Sequence, residues 1–572
     1  MADDFDVIVV GSGITGGWAA KEFSEKGFKT LVLERGRHID HQGDQYKDML
    51  MPWEKHNRSL MAEAYNEDGN YRDVQEMGYI YRDDLKHFFV DEVEHPYTTP
   101  DNKPAMWIRG YQLGGRSLTW GRQTYRWSEK DFQANAKDGH GIPWPIGYED
   151  IAPWYDYVEK FTGISGNRDN LEILPDGEFL KPWNMSCAEE FVSENLKKNR
   201  PDRPMIIGRC AHLTAPQDVH TDLGRGQCQA RNHCMRGCSF GAYFCSLSST
   251  LPAARRTENV TIVTDAIVAS VDHDDTTGKA SGVTVIDYHT KRQHKYKARI
   301  VFLCAGSLAS VQIMLNSKSA THSNGIANSS GMLGHYITDH FGRSGANGIV
   351  PGFEDRYSFG RRPNGMYVPN FRHEKTDDVD FVRGYGYQGH AAYRPRKGNT
   401  AHSAGIGAAA KEQVGQAEPW RIGFGMFGEM LPYYDNQVSL NAVKKDKWGM
   451  PLLHIDVHGR ENERKMMTQA AHDAEEILLA GGCVDVVKTL PEDNEPIQAG
   501  RLIHEMGGAC MGADPKRAVL NKWNQAHDVP NLFVTNGACM SSCATQNPSL
   551  TYMALTARAA HHASKLMKSG QL

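Results

Sequence analysis

The chain of 572 residues contains 64 Lys and Arg residues and 69 Asp and Glu residues, so its formal net charge is −5 at pH 7. This balance, without a basic tract, excludes a nucleic-acid-binding protein. No apolar run approaches the roughly 18 residues of a membrane span, so no transmembrane segment is expected. With 40% hydrophobic and 23% charged residues the composition is that of a globular protein, and the length predicts two domains or more.

The first forty residues have the pattern of a dinucleotide-binding βαβ unit. An apolar run at residues 6–10 predicts a buried parallel strand, residues 14–26 predict a helix, and residues 30–33 predict a second strand. The glycine-rich turn at residues 11–16 lies where such folds bind a pyrophosphate, at the positive end of the helix. Because strands, helix and an acidic residue flank the glycines, the motif is specific for a dinucleotide. By itself it admits both NAD and FAD.

Individual residues of this unit have distinct expected roles. Gly11 permits the tight turn, Gly13 lets the backbone approach the pyrophosphate, and Gly16 lets helix and strand pack closely. Glu34, at the end of the second strand, is placed to accept hydrogen bonds from an adenosine ribose. Its charge also disfavours the 2′-phosphate of NADP.

The rest of the chain alternates between two kinds of pattern. A second glycine-rich segment occupies residues 110–122, strands are predicted from 260 to 304, and a final strand and long helix follow residue 531. Alternating segments between 335 and 495 predict an antiparallel sheet. We therefore expect an α/β plus α+β protein, a Rossmann-like domain interrupted by an antiparallel-sheet substrate domain. The expected dinucleotide-binding ranges are 1–125, 250–334 and 496–572, and the substrate-domain ranges are 126–249 and 335–495, with a cysteine-rich insertion at 210–245.

The cysteines are numerous and unevenly spaced. The chain contains 11 of them, an odd number, and no export signal precedes the first predicted strand, so a disulfide framework is not expected. Cys228, Cys234 and Cys238 lie close together in sequence with a glycine nearby, which suits an iron–sulfur cluster. A zinc site that includes His233 is one alternative, and unliganded thiols are another.

Two polar segments near the end of the chain are candidates for chemistry. His504 lies in a loop of small residues before the last predicted strand, but it is one of 25 histidines, and the pattern alone does not single it out. Asn547 and Pro548 occupy the expected N-cap and N1 positions of the final helix. The positive end of that helix would also suit a group that becomes anionic during a reaction.

Five motifs follow one another along nearly the whole chain. They are the N-terminal glycine turn, GGRSLTWG at 114–121, WPIGYED at 144–150, HEMGG at 504–508 and NPSLT at 547–551. This ordered set resembles the glucose–methanol–choline (GMC) family of flavoprotein oxidoreductases. Within that family the resemblance is closest to bacterial sugar dehydrogenases, including glucoside 3-dehydrogenases and the large subunits of fructose and gluconate dehydrogenases, and to pyranose oxidase.

The resemblance implies that the dinucleotide is FAD, that His504 is the catalytic base, and that Asn547 is its polar partner. Thr119 stands where some pyranose oxidases have a histidine bonded to the flavin, so the FAD is expected to be non-covalent. The cofactor-binding residues expected from the motifs and the resemblance are Gly11, Gly13, Ile14, Gly16, Glu34, Arg35, Gly114, Gly115, Ser117, Trp120, Val268, Ala305, Asn536, Gly537, Asn547, Pro548 and Thr551.

The resemblance also implies the activity, which is oxidation of a secondary hydroxyl of a sugar or glycoside, with C3 as the expected position. Glu429 would then bind sugar hydroxyls, although a structural carboxylate is an equal alternative. Relatives bind a 3Fe–4S cluster through a similar cysteine segment, which implies a cluster on Cys228, Cys234 and Cys238. This chain departs from their pattern, because Gln229 stands where they have a second adjacent cysteine.

Partners and location follow from the same resemblance. We expect electrons to pass to a c-type cytochrome, a quinone or a dye, and we expect a small subunit that carries the export signal. The protein would then be periplasmic, or cytoplasmic without that subunit. Alternative activities are a polyol dehydrogenase acting on gluconate, glucose or fructose, a pyranose 2-oxidase that uses oxygen, and a redox-silent flavin lyase on the same fold.

Overall fold

The strand predicted at residues 6–10 is the centre of a seven-stranded sheet in the computed structural model. The residues that the structure describes are 4–55, 71, 74, 85–231, 234, 237–356, 364–372, 379–393, 406–408, 411–412, 419–492 and 496–572. The strands of this first sheet are β1 (Asp4–Val10), β2 (Thr30–Leu33), β6 (Val260–Val263), β7 (Ala266–Asp274), β8 (Lys279–Asp287), β9 (Gln293–Leu303) and β20 (Leu532–Val534).

The first sheet has a parallel part and an antiparallel part. Strands β6, β2, β1, β9 and β20 pair in parallel, while β7, β8 and the first half of β9 form an antiparallel meander. Strands β1 and β2 are fully or almost fully buried along residues 7–10 and 30–33, as expected for parallel strands covered on both faces. This confirms the Rossmann-like part of the predicted fold.

The second large sheet is antiparallel throughout. Its order is β18-β11-β14-β13-β12-β5, with β10 paired to β14, and the antiparallel substrate-domain sheet is thereby confirmed. The strands of this second sheet are β5 (Ile206–Ile207), β10 (His340–Phe341), β11 (Gly345–Val350), β12 (Met366–Val368), β13 (Tyr385–Ala392), β14 (Trp420–Glu429) and β18 (Val484–Thr489).

Three smaller sheets complete the strands of the described residues. The alternating segments near 437 and 452, predicted to join the large antiparallel sheet, pair with each other as a separate ribbon, and Thr98 forms an isolated bridge to His454 of this ribbon. The strands of the smaller sheets are β3 (Ile164–Ser165), β4 (Phe179–Leu180), β15 (Gln437–Lys445), β16 (Pro451–Asp456), β17 (His458–Gly459) and β19 (Ile497–Gln498). All strands of the first sheet lie inside the ranges predicted for the dinucleotide domain, whose boundaries stay a prediction.

Helices cover both large sheets. Within the described residues, no helix has the length and apolarity needed to cross a bilayer. The α-helices are α1 (Ile14–Glu25), α2 (Glu129–Asp138), α3 (Tyr148–Thr162), α4 (Cys187–Asn199), α5 (Asp218–Thr221), α6 (Thr250–Arg255), α7 (Ser307–Asn316), α8 (Glu461–Ala480) and α9 (Ser549–Lys568).

Helix α3 fixes the start of α9, the helix that carries the NPSLT motif at its beginning. The phenol oxygen of Tyr155 lies 2.8 Å from the hydroxyl of Thr551. A buried ion pair anchors α3 in turn, because Arg126 donates to both carboxylate oxygens of Glu159, at 2.9 and 2.5 Å. Asp156 also accepts from Arg126 but is half exposed. Removing Glu159 would therefore leave the buried guanidinium of Arg126 without its bidentate partner.

We expect Glu159→Ala to lower the free energy of unfolding by about 3–5 kcal/mol, the usual cost of removing one member of a buried ion pair. The matched control is Asp156→Ala, whose exposed carboxylate predicts a loss of less than about 1 kcal/mol. Chemical denaturation of both variants measures the difference. Equal stabilities for the two variants would contradict the assigned role of Glu159.

Candidate active site

One large cavity joins the two halves of the protein. It has a volume of about 740 Å³ and extends from the ends of β1 and β2, at Gly11 and Glu34, to His504 and Asn547. The glycine turn before α1 therefore lies at one end, and the polar C-terminal segments lie at the other. A long dinucleotide is the kind of ligand that would connect these ends.

The geometry of the glycine turn fits a dinucleotide. A Cβ atom added at Gly16 would lie 1.9 Å from the carbonyl oxygen of Gly11, so only glycine allows this packing of α1 against β1. A Cβ atom added at Gly13 would meet no protein atom within 4 Å and would project into open space that a ligand can approach. Helix α1 begins at the next residue, which directs its positive end toward the cavity.

Glu34 lies in the wall of the cavity, but its carboxylate is already engaged by the protein. Its two oxygens accept hydrogen bonds from the amide and hydroxyl of Ser12 and from the amide of Gly36. Burial raises the pKa of Glu34 despite these bonds. Carboxylate oxygens have further lone pairs, so contact with a ribose hydroxyl remains compatible with this arrangement.

Most of the predicted cofactor residues line the cavity. Those that do are Gly11, Gly13, Ile14, Glu34, Arg35, Gly115, Ser117, Trp120, Val268, Ala305, Asn536, Gly537 and Asn547. The predicted residues outside the lining are Gly16, Gly114, Pro548 and Thr551. Gly16 allows the close packing of α1 against β1, and Thr551 contacts Tyr155. At the start of α9, the residues that line the cavity are Ser549 and Tyr552.

The loop that carries His504 is held from two sides. The carboxylate of Asp339, just before β10, accepts hydrogen bonds from the amides of Gly500 at 2.7 Å and of His504 at 3.0 Å. On the other side, Arg116 of the second glycine-rich segment forms an ion pair with Glu505 at 2.9 Å. These contacts fix the backbone of the loop beside the second glycine-rich segment.

The side chain of His504 faces the cavity and contacts a second histidine. The Nδ1 atoms of His504 and His340 are 2.7 Å apart, and the two rings meet nearly at right angles. Burial, with His340 and Arg116 nearby, lowers the pKa of His504 well below its ordinary value. His504 is therefore a neutral imidazole at pH 7, which is the state that a general base requires.

Asn547 does not cap α9, in contrast to the prediction. The helix begins at Ser549, Pro548 takes the cap position, and no side chain caps it. The side-chain oxygen of Asn547 instead accepts a hydrogen bond of 2.5 Å from the amide of Gln388 on β13. With the oxygen occupied in this way, the amide nitrogen of Asn547 is the group that can donate to a ligand.

Glu429 is buried and outside the lining of the cavity. It lies at the end of β14, opposite His340 in the pairing of β14 with β10. Its carboxylate accepts from the guanidinium of Arg383, which also binds Asp138 and Asn135. This geometry corresponds to the structural alternative for Glu429 and gives no support to contact with substrate.

The three candidate metal ligands lie together but leave little space between them. Cys228, Cys234 and Cys238 line one cavity of about 20 Å³, room for about one water. Burial raises the pKa of the Cys228 and Cys238 thiols, the latter to about 11. Among the described residues, no three His, Cys, Asp or Glu side chains are placed to hold a metal ion. As placed, the thiols do not fit a cluster, and His233 of the zinc alternative lies outside the described residues.

Sequence reasoning missed His340, Gln388 and Arg116, the residues that orient the two predicted catalytic side chains. His340 and Gln388 lie on strands of the second sheet, far from His504 and Asn547 in sequence, and no local pattern marks them. Arg116 lies inside the family motif at 114–121, so this motif could have identified it as a residue of the site. Its ion pair with Glu505 appears only in the folded chain.

Comparisons with known proteins agree with this geometry. Residues 5–342 and 432–556 match two models described as GMC oxidoreductase. The 2-methyl-1,2-propanediol dehydrogenase of Mycolicibacterium austroafricanum is 26% identical over 99% of this chain and 96% of that protein. The fructose dehydrogenase large subunit of Gluconobacter japonicus is 25% identical over 99% of this chain and 98% of that protein.

A solved structure shares the fold at low sequence identity. A formate oxidase of Aspergillus oryzae RIB40 superposes with a TM-score of 0.63 and 12% identity, covering 99% of both chains. The cavity, the glycine turn and the two family matches lead to one conclusion. The chain belongs to the GMC oxidoreductase family, whose members are FAD-dependent oxidoreductases that act on CH–OH groups.

Proposed function

We propose that this enzyme is a dehydrogenase that oxidises a secondary hydroxyl of a sugar or glycoside, with C3 as the first candidate position. The observation that carries the proposal is that His504 and Asn547 both line the dinucleotide cavity. An alcohol both donates and accepts a hydrogen bond. A neutral histidine and an amide N–H supply the two complementary groups.

The chemistry of alcohol oxidation explains why both groups are needed. FAD, when bound, supplies the acceptor for the hydride of the substrate carbon. An alkoxide releases hydride far more readily than an alcohol does, so His504 takes the hydroxyl proton as general base. The amide of Asn547 donates to the same oxygen and, held by Gln388, orients it.

A sugar is favoured by polar side chains in the lining of the cavity. Gln388, His390 and Arg343 line the cavity together with His504, and they offer polar atoms to neighbouring hydroxyls. The fructose dehydrogenase relative acts on a sugar by its name. The relative named for 2-methyl-1,2-propanediol indicates a small diol as the competing substrate class.

We propose an external electron acceptor, such as a c-type cytochrome, a quinone or a dye. A fructose dehydrogenase large subunit is among the relatives, which supports a small partner subunit for this chain. Export to the periplasm with that partner, or a cytoplasmic location without it, stays a prediction. The 3Fe–4S cluster on Cys228, Cys234 and Cys238 stays a prediction, because the cavity that the three thiols line has room for about one water.

Anaerobic mixing tests the activity. We expect glucose, a glucoside, lactose or sucrose to bleach the flavin absorbance, and NMR of the product to show a new carbonyl at C3. Bleaching by gluconate or by 2-methyl-1,2-propanediol alone would transfer the assignment to those substrates. No bleaching by any substrate would favour the flavin lyase. Rapid re-oxidation in air would identify an oxidase, whereas re-oxidation by dye alone identifies a dehydrogenase.

His504→Ala is expected to retain FAD and lower the rate constant of flavin reduction by about 10²–10⁴-fold, the usual contribution of a general base. Stopped-flow absorbance measures the rate, and the flavin-to-protein absorbance ratio measures the bound FAD. His472→Ala on α8 is the control, because His472 is exposed and outside the cavity. A near-normal rate in His504→Ala would refute the assignment of the base.

The lowered pKa of His504 predicts how kcat/KM depends on pH. Because burial lowers the pKa of His504, the base stays neutral as the pH falls from 7 through 6.5, the ordinary histidine value. We expect kcat/KM for the sugar to stay constant over that interval and to decline only at more acidic pH, provided that flavin absorbance shows the FAD still bound. A decline centred at or above pH 6.5 would contradict a neutral, buried base.

Iron analysis tests the cysteine prediction. If the cluster is present, protein purified without oxygen will contain about three iron atoms per chain and absorb broadly in the blue, because thiolates ligate such clusters. The joint replacement of Cys228, Cys234 and Cys238 by serine should abolish both signals, whereas Cys187→Ser, outside the small cavity, should not. Iron-free protein with full dye-linked activity would exclude the cluster.

A further inference from the structure

The catalytic base lies at the end of a series of hydrogen bonds that begins at a backbone carbonyl. The Nε2 atom of His340 is 2.8 Å from the carbonyl oxygen of Ala544. The Nδ1 atom of His340 is 2.7 Å from the Nδ1 atom of His504. Both distances are those of hydrogen bonds. His340 is only 1% exposed and is outside the lining of the cavity, so it acts on the site through His504.

The carbonyl oxygen of Ala544 determines which atom donates and which accepts in each hydrogen bond of this series. A carbonyl oxygen only accepts, so Nε2 of His340 carries a hydrogen and donates it to Ala544. Burial lowers the pKa of His340 to about 4, so the ring is neutral at pH 7 and its Nδ1 atom has a lone pair. Nδ1 of His504 must then donate to His340. The lone pair of the neutral His504 is left on Nε2.

The backbone has an unfavourable conformation at both ends of this series of hydrogen bonds. Ile503, next to His504, has a φ of 61°, and Ala544 has a φ of 48°. A β-branched residue in the left-handed region is uncommon and persists only where surrounding contacts impose it. Here Asp339 imposes it by accepting from the amides of Gly500 and His504. Backbone and ring of the base are therefore positioned by the consecutive residues Asp339 and His340.

We propose that His340 is a positioning residue that selects the tautomer of His504 in which Nε2 accepts the substrate proton. This inference rests on the proposed function. In the proton transfer the substrate O–H bond breaks and an N–H bond forms at Nε2 of His504. The hydrogen on Nδ1 stays between the two rings, where the lone pair of His340 stabilises the imidazolium charge.

Neutron diffraction of the deuterium-exchanged holoenzyme tests the tautomer directly. We expect deuterium on Nε2 of His340 and on Nδ1 of His504, and none on Nε2 of His504. Deuterium on Nε2 of His504 at neutral pH would overturn the proposal. This measurement needs no variant and does not depend on which substrate the enzyme takes.

A matched pair of variants separates tautomer selection from simple packing. His340→Leu fills the space without an acceptor, whereas His340→Asn places its side-chain oxygen where Nδ1 was, so that His504 can still donate to it. We expect His340→Leu to lower the rate constant of flavin reduction about 10- to 100-fold, the loss typical of the hydrogen-bond partners that orient metal-ligating histidines. KM and bound FAD should stay within about threefold, and His340→Asn should recover most of the rate.

Two results would count against this role of His340. Equal rates for His340→Leu and His340→Asn would reduce His340 to a packing residue, and a wild-type rate in His340→Leu would remove its role altogether. Failure of the proposed function has a different signature, because the sugars would then not bleach the flavin of the unmodified enzyme, whereas the neutron result for His340 and His504 would be unaffected.

Discussion

The carboxylate of Asp339 accepts hydrogen bonds from the amides of Gly500 and His504, and the geometry of the active site depends on this pair of contacts. Asp339 leads directly into β10 of the antiparallel sheet. The loop that it holds continues to Gly507, whose amide donates to the carbonyl of Gly537 in the FAD-binding half. One carboxylate therefore aligns the substrate half of the enzyme with the cofactor half, and the strained φ of Ile503 is the local cost of that alignment.

The two side chains proposed to be catalytic, those of His504 and Asn547, are both oriented by partners from the antiparallel sheet. His340 contacts the ring of His504, and Gln388 contacts the amide of Asn547. The cofactor half contributes His504 and Asn547 themselves, together with the glycine turn near Gly13 that fits the dinucleotide. The FAD-binding half thus supplies the proposed reacting groups, and the antiparallel sheet supplies the side chains that orient them. Neither half contains both sets of residues.

The sequence predicted the fold well where the signal was local. The buried run before Gly11, the glycine spacing and the acidic residue Glu34 predicted the parallel sheet and the dinucleotide end of the cavity, and the structure confirms that fold. Prediction was weaker where one local pattern fits two structures. Asn547 had the sequence of an N-cap, yet its side chain binds Gln388, because an asparagine can satisfy either a helix end or a tertiary partner. Glu429 showed the same ambiguity and pairs with Arg383.

By itself, the sequence predicted the dinucleotide-binding half from residue types at short spacings. The resemblance of the five ordered motifs to the GMC family then indicated FAD, the family and the two catalytic candidates. Only the tertiary structure decided how those candidates are used. The contacts of Asp339 and His340 with the His504 loop span about 160 positions of the chain, and no periodicity records a contact of that range. The tautomer of a histidine follows from the partner of its other nitrogen, and that partner is a property of the folded chain alone.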